Sequence, residues 1–510
     1  MTIDTKNITV LLVEDAAAMR RIEVKILNSL GFVNVIEAPD GLAALTELAQ
    51  RDDIDLIISD WNMPNLGGYE LLIQVRGMEK FKDMPFIMAT GQADRSQAEK
   101  ATAAGANAFI PKPFSPEELN DKISQALGEG QVVESSVAAG PVLGVSGKVK
   151  IRVAHIQITD HLVLGVLKDK IDKGEISPRY FELETHRMPG WNPVEQALDK
   201  GKVDVAFILA PLAQDLFGAG VPIKLTLLAH RNGSIMVRNG EGGYVEPFSG
   251  FFQDKSFLIP HKLSVHHMLA HMFFEKMGLP ASLEKGEDIK VNFEVVAPIN
   301  MGEFLASSPR VSGFLVAEPL GSRAVANGIA ERQFLSSELW ANHPCCVVAM
   351  REDFMDGHDD AAQEFIRLLV ECGKYIDNFP AEAAEIGVQF LDPVGNLGLR
   401  SEVLTKVLTD PLGIKTSDLF PVILDFDVMQ RYLHDRMGIG RIVDLEKFID
   451  TRYAEAACED MSVTSATLHN TADTINEILR RSAPALPALA KQPFMIRVEN
   501  GLVEFYRQTV

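Results

Sequence analysis

The chain has 510 residues, of which 46% are hydrophobic and 23% charged, and its formal net charge is -21. This composition is that of an ordinary globular protein, and the length exceeds what one hydrophobic core organises, so we expect two or three domains. The acidic balance disfavours nucleic acid as a partner, because a surface that follows a phosphate backbone needs clustered Lys and Arg.

The N-terminal residues have no basic segment followed by an apolar run and a small-residue cleavage site, so we expect no secretory signal. No segment is long and apolar enough to predict a membrane span. We therefore expect a cytoplasmic protein with reduced thiols. The cysteines lack the CxxC spacing of a zinc motif and indicate no disulfide framework; they are Cys345, Cys346, Cys372 and Cys458.

The first 128 residues alternate short apolar runs with amphipathic helical stretches. Continuous apolar strands between helices are typical of a parallel sheet that is covered on both faces. Five such repeats predict a single doubly wound α/β domain over residues 1–128. The predicted strands are Val10 to Val13, Val33 to Glu37, Leu56 to Ser59, Pro85 to Ala89 and Ala108 to Ile110.

Residues 129–147 are poor in long apolar side chains and are predicted to be a linker. A second αβ region follows over residues 148–455. Residues 456–510 are predicted to be a helical extension that packs on the second domain, or on a second subunit in a homodimer. The apolar face of its helix, from Met461 onwards, consists of Leu468, Ala472, Ile475 and Leu479.

Acidic residues follow the strands of the first domain. Glu14 and Asp15 come directly after the first strand, and Asp60 ends the third. In a doubly wound sheet, sites form at the carboxyl ends of the strands. Three carboxylates there suit Mg²⁺, which neutralises a phosphoryl group in transit. Thr90 ends the fourth strand and Lys112 follows the fifth, where a hydroxyl and an ammonium can hold phosphoryl oxygens.

The segments LLVEDAAAMRRIEVKILNSLGF, EAPDGLAAL, DLIISDWNMPNLGGYELL, IMATG and GANAFIPKPF resemble the response regulator receiver family, and its chemotaxis-type members in particular. They occur in this order over residues 8–128. The resemblance implies a flavodoxin-like receiver domain in which Asp60 accepts a phosphoryl group from a sensor histidine kinase.

The same resemblance implies roles for further residues around Asp60. Glu14, Asp15 and the Asn62 carbonyl are expected to hold Mg²⁺ together with Asp60. Thr90 and Phe109 are expected to form the switch pair, with Lys112 as the partner of the phosphoryl group. The Lys112-Pro113 bond is expected to be cis, which is plausible chiefly because a proline follows.

In residues 148–455, the predicted strands include Lys150 to His155, Val203 to Leu209, Ser256 to Ile259, Val291 to Val296, Val311 to Val316 and Cys346 to Met350. Polar and aromatic residues stand at the junctions between strands and helices. Helix N-termini present free N–H groups, so several junctions that face one cleft predict a small-molecule site. The predicted ligand-binding residues are Thr159, Asp160, His161, Trp191, Ala210, Pro211, His230, Asn232, His261, Lys262 and Glu318.

The segments KIRVAHIQITDHLVLGVLKDK, WNPVEQALDKGKVDVAFILAPLA, GVPIKLTLLAHRNGS, VSGFLVAEPLGSRAVANG and HPCCVVAMREDF resemble the solute-binding proteins of the nitrate, sulfonate and taurine transport group. That group also includes the thiamine-pyrimidine synthases. The resemblance implies two αβ lobes of the periplasmic-binding-protein type II kind, with a crossover hinge. It also implies a small polar or anionic ligand in the cleft.

The sequence therefore predicts a response regulator whose receiver is joined to a cytosolic small-molecule sensor. It predicts no enzyme activity beyond phosphoryl acceptance and autodephosphorylation in the receiver. One alternative is a phosphorylation-controlled enzyme related to the thiamine-pyrimidine synthases. The pair Cys345–Cys346 is shorter than the cysteine cluster of those enzymes, and no catalytic motif accompanies it. Another alternative is an adaptor that binds a protein and keeps only a vestigial ligand cleft.

Overall fold

The computed structural model describes residues 5–90, 95–112, 114, 116–128, 144, 147–240, 248–284, 286, 288–395, 397–458, 466–468, 494–499 and 502–507. The chain divides into two compact units, Met1–Ser136 and Val137–Val510. Among the helices of these described stretches, none combines the length and the apolar character that crossing a membrane requires.

The first unit contains five strands and five helices that alternate along the chain. The predicted strands are each present within one residue of their expected ends. Their bounds are β1 (Thr9–Val13), α1 (Ala17–Ser29), β2 (Asn34–Ala38), α2 (Gly41–Gln50), β3 (Leu56–Asp60), α3 (Gly68–Gly77), β4 (Phe86–Thr90), α4 (Arg95–Ala103), β5 (Ala108–Pro111) and α5 (Pro116–Ala126). The strands form one all-parallel sheet in the order β2-β1-β3-β4-β5, which confirms the predicted doubly wound fold.

Both faces of this sheet are buried. Val10 and Leu12 of β1 belong to one apolar cluster, whereas Leu11 and Val13 belong to another. Successive strand residues point to opposite faces, so a strand that is covered on both sides has to be apolar throughout. This explains why the sequence signal of these strands is a continuous apolar run, and it leaves the strand ends as the place for polar chemistry.

The second unit begins with a lobe built on a five-stranded sheet. Its elements before the first crossover are β6 (Val149–His155), α6 (Leu162–Asp172), β7 (Phe181–Arg187), α7 (Trp191–Asp199), β8 (Val205–Leu209), α8 (Ala210–Gly218) and β9 (Ile223–Leu228). The fifth strand, β17 (Cys346–Arg351), comes much later in the chain and lies antiparallel between β8 and β9. The sheet order is β7-β6-β8-β17-β9. We call this the first lobe.

The second lobe is a single continuous stretch of chain. Its elements are β10 (Ser234–Asn239), β11 (Lys255–Ile259), α9 (Val265–Lys276), β12 (Ala281–Ser282), β13 (Val291–Val295), α10 (Met301–Ser307), β14 (Val311–Ala317), α11 (Leu320–Ala326) and β15 (Ala330–Leu335). They form a mixed six-stranded sheet in the order β12-β13-β11-β14-β10-β15. The first crossover, residues 229–233, enters this lobe, and the second crossover, residues 336–345, leaves it.

A largely helical region follows the lobes and packs on the first of them. Its elements, with a short strand that precedes β17, are β16 (Trp340–Ala341), α12 (Glu352–Gly357), α13 (Asp359–Asn378), α14 (Pro380–Leu391), α15 (Ser401–Thr409), α16 (Ile423–Arg431), α17 (Leu445–Phe448) and α18 (Arg452–Ala457). Arg231 of the first crossover is fully buried and donates to the carbonyls of Asn342 and Phe420, at 2.9 and 2.8 Å. The region after the lobes therefore stabilises the first crossover through the hydrogen bonds of Arg231.

The secondary-structure elements described after Ala457 are strands. They are β18 (Thr467–Leu468), β19 (Phe494–Glu499) and β20 (Leu502–Arg507). The expectation that Leu468 lies on a helix is wrong, because its backbone pairs antiparallel with Trp340. Ala472, Ile475 and Leu479 lie outside the described residues. The hairpin of β19 and β20 also replaces helix in the predicted extension.

Candidate functional site

In the first unit, Lys112 is surrounded by carboxylates at the carboxyl end of the sheet. Its Nζ lies 3.0 Å from Oδ1 of Asp60 and 3.0 Å from Oε1 of Glu23, and it also contacts Glu14. Lys112, Glu14 and Glu23 are all buried. The parallel strands bring these groups together because Glu14 follows β1, Asp60 ends β3 and Lys112 follows β5.

Burial dominates the electrostatics of this cluster. It raises the pKa of Glu14 to about 8 although Lys112 opposes the shift, and it raises the pKa of Glu23. Burial also acts to lower the pKa of Lys112, but the carboxylates of Asp60, Glu14 and Glu23 outweigh it and hold that pKa well above the usual value. Carboxylate oxygens of this kind are the ligands that suit Mg²⁺.

The other residues predicted for this site lie at the same edge of the sheet. The Asn62 N–H donates to Oδ2 of Asp60 at 2.9 Å, and the carbonyl of buried Thr90 accepts from the Lys112 N–H at 2.6 Å. Asp15 is half-buried next to Glu14, and Phe109 is half-buried in β5. Pro113 lies outside the described residues, so the expected cis bond before it stays a prediction.

A glycine fixes the loop after Asp60. Gly68 begins α3 directly against the end of β3, and a Cβ atom there would lie 1.9 Å from the carbonyl oxygen of Asp60. Only glycine permits this close approach of two backbones. Trp61 stacks on Tyr69 in the first turn of α3, with ring centroids 5.4 Å apart. An indole therefore stands beside Asp60, where it can report changes at the carboxylate.

Glu23 is a member of this cluster that the sequence interpretation missed. It lies on α1, one helical turn before the buried Leu27. Residues four apart share one face of a helix, so this spacing places Glu23 on the side that faces the core. A carboxylate on an otherwise apolar helix face was the available signal, and it indicates a buried partner such as Lys112.

Replacing Lys112 with Met should destabilise the first unit by about 3–5 kcal/mol, because buried carboxylates are left without their counter-charge. The loss should become smaller as the pH falls through about 8, the pKa of Glu14, since protonation of Glu14 and Glu23 removes the charges that Lys112 balances. Hydrogen-exchange mass spectrometry of β1 to β5 in the full chain measures the effect on this unit separately. The exposed Lys80→Met is the matched control and should change stability little. Equal protection in Lys112→Met and wild type would contradict the prediction.

In the second unit, several of the predicted ligand-binding residues converge where the two lobes meet. Asp160 Oδ2 lies 3.0 Å from Nε2 of His230, and the ring of His161 stands edge-on to Trp191 with centroids 5.8 Å apart. The Thr159 hydroxyl, from the first lobe, donates to the carbonyl of a second-lobe residue, Glu318, at 2.6 Å. All six residues are buried.

The remaining predicted residues occupy different places. Ala210 and Pro211 are buried at the start of α8, and Asn232 is buried in the first crossover with a φ of 57°. His261 and Lys262 lie before α9; the His261 ring accepts from the Leu263 N–H at 3.1 Å, which is a local turn contact. Lys262 faces Glu195 of α7, whose pKa burial raises to about 7 against the effect of Lys262.

The cleft contains buried polar atoms that have no hydrogen-bond partner among the described residues. The set is Asp160 Oδ1, His161 Nε2, Trp191 Nε1, His230 Nδ1, Asn232 Oδ1, His266 Nδ1 and His343 Nε2. Nearly all buried polar groups in proteins make hydrogen bonds, to protein or to ordered water. A cluster of buried polar atoms without protein partners is therefore typical of a place where a polar molecule binds. His266, which contacts the Ser234 hydroxyl at 2.9 Å, was not among the predicted ligand-binding residues, and neither were Cys345 and Cys346.

A cavity of about 310 Å³ lies on the second-lobe side of Glu318. Burial raises the pKa of the Glu318 carboxyl to about 7, although the Ser322 hydroxyl and N–H both donate to it. Charged side chains of both signs line the cavity, among them Arg332, Lys406 and Asp410. Of the predicted ligand-binding residues, Glu318 is the one that faces this space, so the cavity borders the cleft without including most of it.

Comparison with known proteins matches each of the two compact units to a different family. Residues 10–124 match the response regulator receiver domain, and residues 145–391 match the NMT1-like family. A chemotaxis protein CheY homolog of Campylobacter jejuni is 41% identical over 120 residues, which are 24% of this chain and 92% of that protein. Chemotaxis protein CheY-3 of Vibrio cholerae is 42% identical over 120 residues, with the same shares.

Solved structures resemble the second unit at low sequence identity. The ligand-binding component of an ABC-type import system from Staphylococcus aureus, solved with zinc bound, has a TM-score of 0.51 at 20% identity and covers 60% of this chain and 98% of its own. The periplasmic nitrate-binding protein NrtA of Synechocystis has a TM-score of 0.54 at 16% identity and covers 65% and 97%. These likenesses confirm the bilobal fold.

The fold and the comparisons together define the class of protein. It has a response regulator receiver domain, followed by a domain that resembles the solute-binding proteins. The chain belongs to the response regulator receiver family through its first unit. Its second unit matches the NMT1-like family, and a nitrate-binding protein is among its structural neighbours. The predicted combination of these two folds is thereby confirmed.

Proposed function

We propose that this protein is a two-component response regulator in which Asp60 accepts a phosphoryl group from a sensor histidine kinase. The observation that carries the proposal is the ion pair of Asp60 with buried Lys112, beside Glu14 at the carboxyl end of the sheet. A carboxylate oxygen of Asp60 attacks phosphorus, the bond to the kinase histidine breaks, and an acyl phosphate forms. The new charge then lies next to the ammonium of Lys112.

The other side chains of the cluster have separate tasks in this proposal. Glu14, Asp15, Asp60 and the Asn62 carbonyl hold Mg²⁺, which supplies positive charge to the phosphoryl oxygens when bound. The Thr90 hydroxyl donates to a phosphoryl oxygen, and Phe109 changes rotamer as Thr90 moves. Autodephosphorylation is then the one reaction that we propose for the receiver besides phosphoryl acceptance.

A phosphodonor assay tests the receiver proposal directly. Acetyl phosphate with Mg²⁺ should add one phosphoryl group per chain, and tandem mass spectrometry should place it on Asp60. The emission of Trp61 should change at the same time, because its indole stands one residue from the acceptor. Trp61→Phe should keep the mass shift and lose that emission change. A phosphoryl group found on another residue would refute the assignment.

For the second unit, we propose that residues 148–455 form a cytoplasmic sensor that binds a small polar or anionic molecule between its lobes. The unpartnered atoms His161 Nε2 and Trp191 Nε1 support this, because a polar ligand would satisfy them. The Thr159 contact with the Glu318 carbonyl brings the lobes together over the site. Closure of hinged lobes on a ligand changes the conformation of the domain, and this change can signal that the ligand is bound.

Trp191→Ala should weaken ligand binding by about tenfold or more, because it removes a buried aromatic wall and an N–H donor. Trp191→Phe should lose less, since the ring remains. Calorimetry and thermal-shift screening against nitrate, alkanesulfonates and aminopyrimidines measure the affinities, and native mass spectrometry detects a co-purified molecule. The exposed Phe379→Ala serves as the control. Absence of any hit and of any co-purified molecule would refute a sensor role.

A further inference from the structure

Four buried side chains with metal-binding atoms meet in the second unit. They are Asp160, His230, Cys345 and Cys346, and one ligand atom from each lies within 4.8 Å of the others. The Asp160 Oδ2 atom is 3.0 Å from Nε2 of His230 and 3.4 Å from Sγ of Cys346. All four residues have no exposed surface.

The site is assembled from parts of the chain that are distant in sequence. Asp160 belongs to a short helical turn, Thr159–His161, at the top of β6. His230 comes from the first crossover, and the two cysteines come from the end of the second crossover and the start of β17. The Ala210 N–H donates to the Cys345 carbonyl and the Ala229 N–H to the Cys346 carbonyl, at 2.9 and 3.0 Å. The backbone around the site is therefore held on both sides.

The hydrogen bonding of this cluster is incomplete. Asp160 Oδ1 and His230 Nδ1 are buried without a partner among the described residues. A buried carboxylate oxygen and a buried ring nitrogen that stay unsatisfied are costly. The second polar atom of each side chain is engaged within the cluster: His230 Nε2 lies against Asp160 Oδ2 and accepts from the Cys346 N–H, and the Cys346 thiol donates to Asp160 Oδ2.

We propose that Asp160, His230, Cys345 and Cys346 bind a divalent d-block cation, with zinc as the best fit. Two thiolates, one imidazole and one carboxylate are all donor types that zinc takes, and four of them match the tetrahedral coordination of its closed structural sites. Zinc–ligand bonds of about 2.0–2.3 Å place neighbouring ligand atoms about 3.4–3.7 Å apart. The observed separations of 3.0 and 3.4 Å differ from that geometry by small side-chain shifts.

The ligand chemistry also excludes the hard cations. Sulfur and nitrogen donors disfavour Mg²⁺ and Ca²⁺, which prefer oxygen, and favour zinc and its neighbours. The proposal rests on these four side chains alone and holds whether or not a small molecule enters the cleft.

Metal content in the full-length chain tests this inference. The protein is prepared without a histidine tag, loaded with Zn²⁺ under reducing conditions and dialysed, and zinc per chain is measured by plasma mass spectrometry. We expect one ion per chain in the wild type. Replacing zinc by Co²⁺ should give the thiolate-to-cobalt charge-transfer absorption, which requires cysteine ligands. A Co²⁺ ion bound by the receiver carboxylates would not produce this absorption.

Variants identify the ligands. Cys346→Ser and Asp160→Asn should each lose the bound ion, whereas Cys372→Ser, which changes a buried free cysteine in α13, should retain it. Asp60→Asn should also retain it. Because a ligand variant can fail to fold, circular dichroism is recorded for each one, and the wild type alone supplies a second measurement: zinc should raise its Tm above that in chelator.

Three results would overturn the inference. One is a wild type that takes up no stoichiometric zinc and shows no zinc-dependent rise in Tm. Another is bound cobalt without the thiolate absorption, because the ion would then lie elsewhere. The third is retention of the ion by a folded Cys346→Ser variant.

Discussion

Asp60→Asn is expected to abolish phosphorylation of the protein by acetyl phosphate and by a cognate histidine kinase. The amide removes the nucleophilic oxygen and the negative charge that pairs with Lys112, while its size is unchanged. Radiolabel incorporation or intact-mass analysis at saturating Mg²⁺ should show no stable adduct, where the wild type gains one phosphoryl group.

The control for this experiment is Asp53→Asn, which changes an exposed aspartate in the loop before the same strand. It should be phosphorylated as the wild type is. Hydrogen exchange of β3 and β4 should show that Asp60→Asn remains folded, so that a lost adduct reflects chemistry. Incorporation by Asp60→Asn at the wild-type rate would refute Asp60 as the acceptor.

Arg231→Met should cost the second unit about 3–5 kcal/mol of stability, because it removes the counter-charge of the buried Asp425 carboxylate. Arg231 is fully buried, with Nε 3.2 Å from Oδ2 of Asp418 and Nη1 3.2 Å from Oδ2 of Asp425. It also donates to carbonyl oxygens of the second crossover and of the C-terminal region. The methionine fills similar volume but satisfies none of these acceptors.

Urea unfolding with hydrogen exchange read at β9, β10 and β17 measures this loss. The exposed Arg310→Met should change stability little and is the matched control. Adding Asp425→Asn to Arg231→Met should recover part of the loss, since one stranded charge is removed, and the double-mutant cycle isolates the pair. Independent, additive effects of the two substitutions would show that Arg231 and Asp425 do not interact.

The receiver could be predicted nearly completely from the sequence, because its strands are continuous apolar runs and its polar residues follow them directly. In the second unit, the strands with the same character, such as β8 and β14, were predicted as well. Phe181–Arg187 was missed because its sequence, FELETHR, is largely polar and half-buried. The hairpin of β19 and β20 had a signal that was overlooked: Asn500-Gly501 between two alternating segments is typical of a two-residue turn.

The cysteine cluster could not be predicted from spacing. Zinc motifs are recognised when ligands are close in sequence, whereas Asp160 and Cys346 are separated by 186 residues. Only the pairing of the two crossovers brings them together. The same holds for the partners of Arg231, which lie far along the chain. Long-range polar contacts of this kind depend on the folded topology and leave no periodic trace in the sequence.

The late arrival of β17 in the chain has a consequence for synthesis of the protein. The second lobe is continuous and can fold once Leu335 has left the ribosome, but β8 and β9 are separated by a gap that only Cys346–Arg351 fills. About 120 residues are made between β9 and β17, which takes on the order of ten seconds at typical elongation rates. Throughout that interval the nascent β8 has one edge without its partner and β9 has no strand beside it, and these edges are the surfaces on which a chaperone would act or a wrong strand would pair.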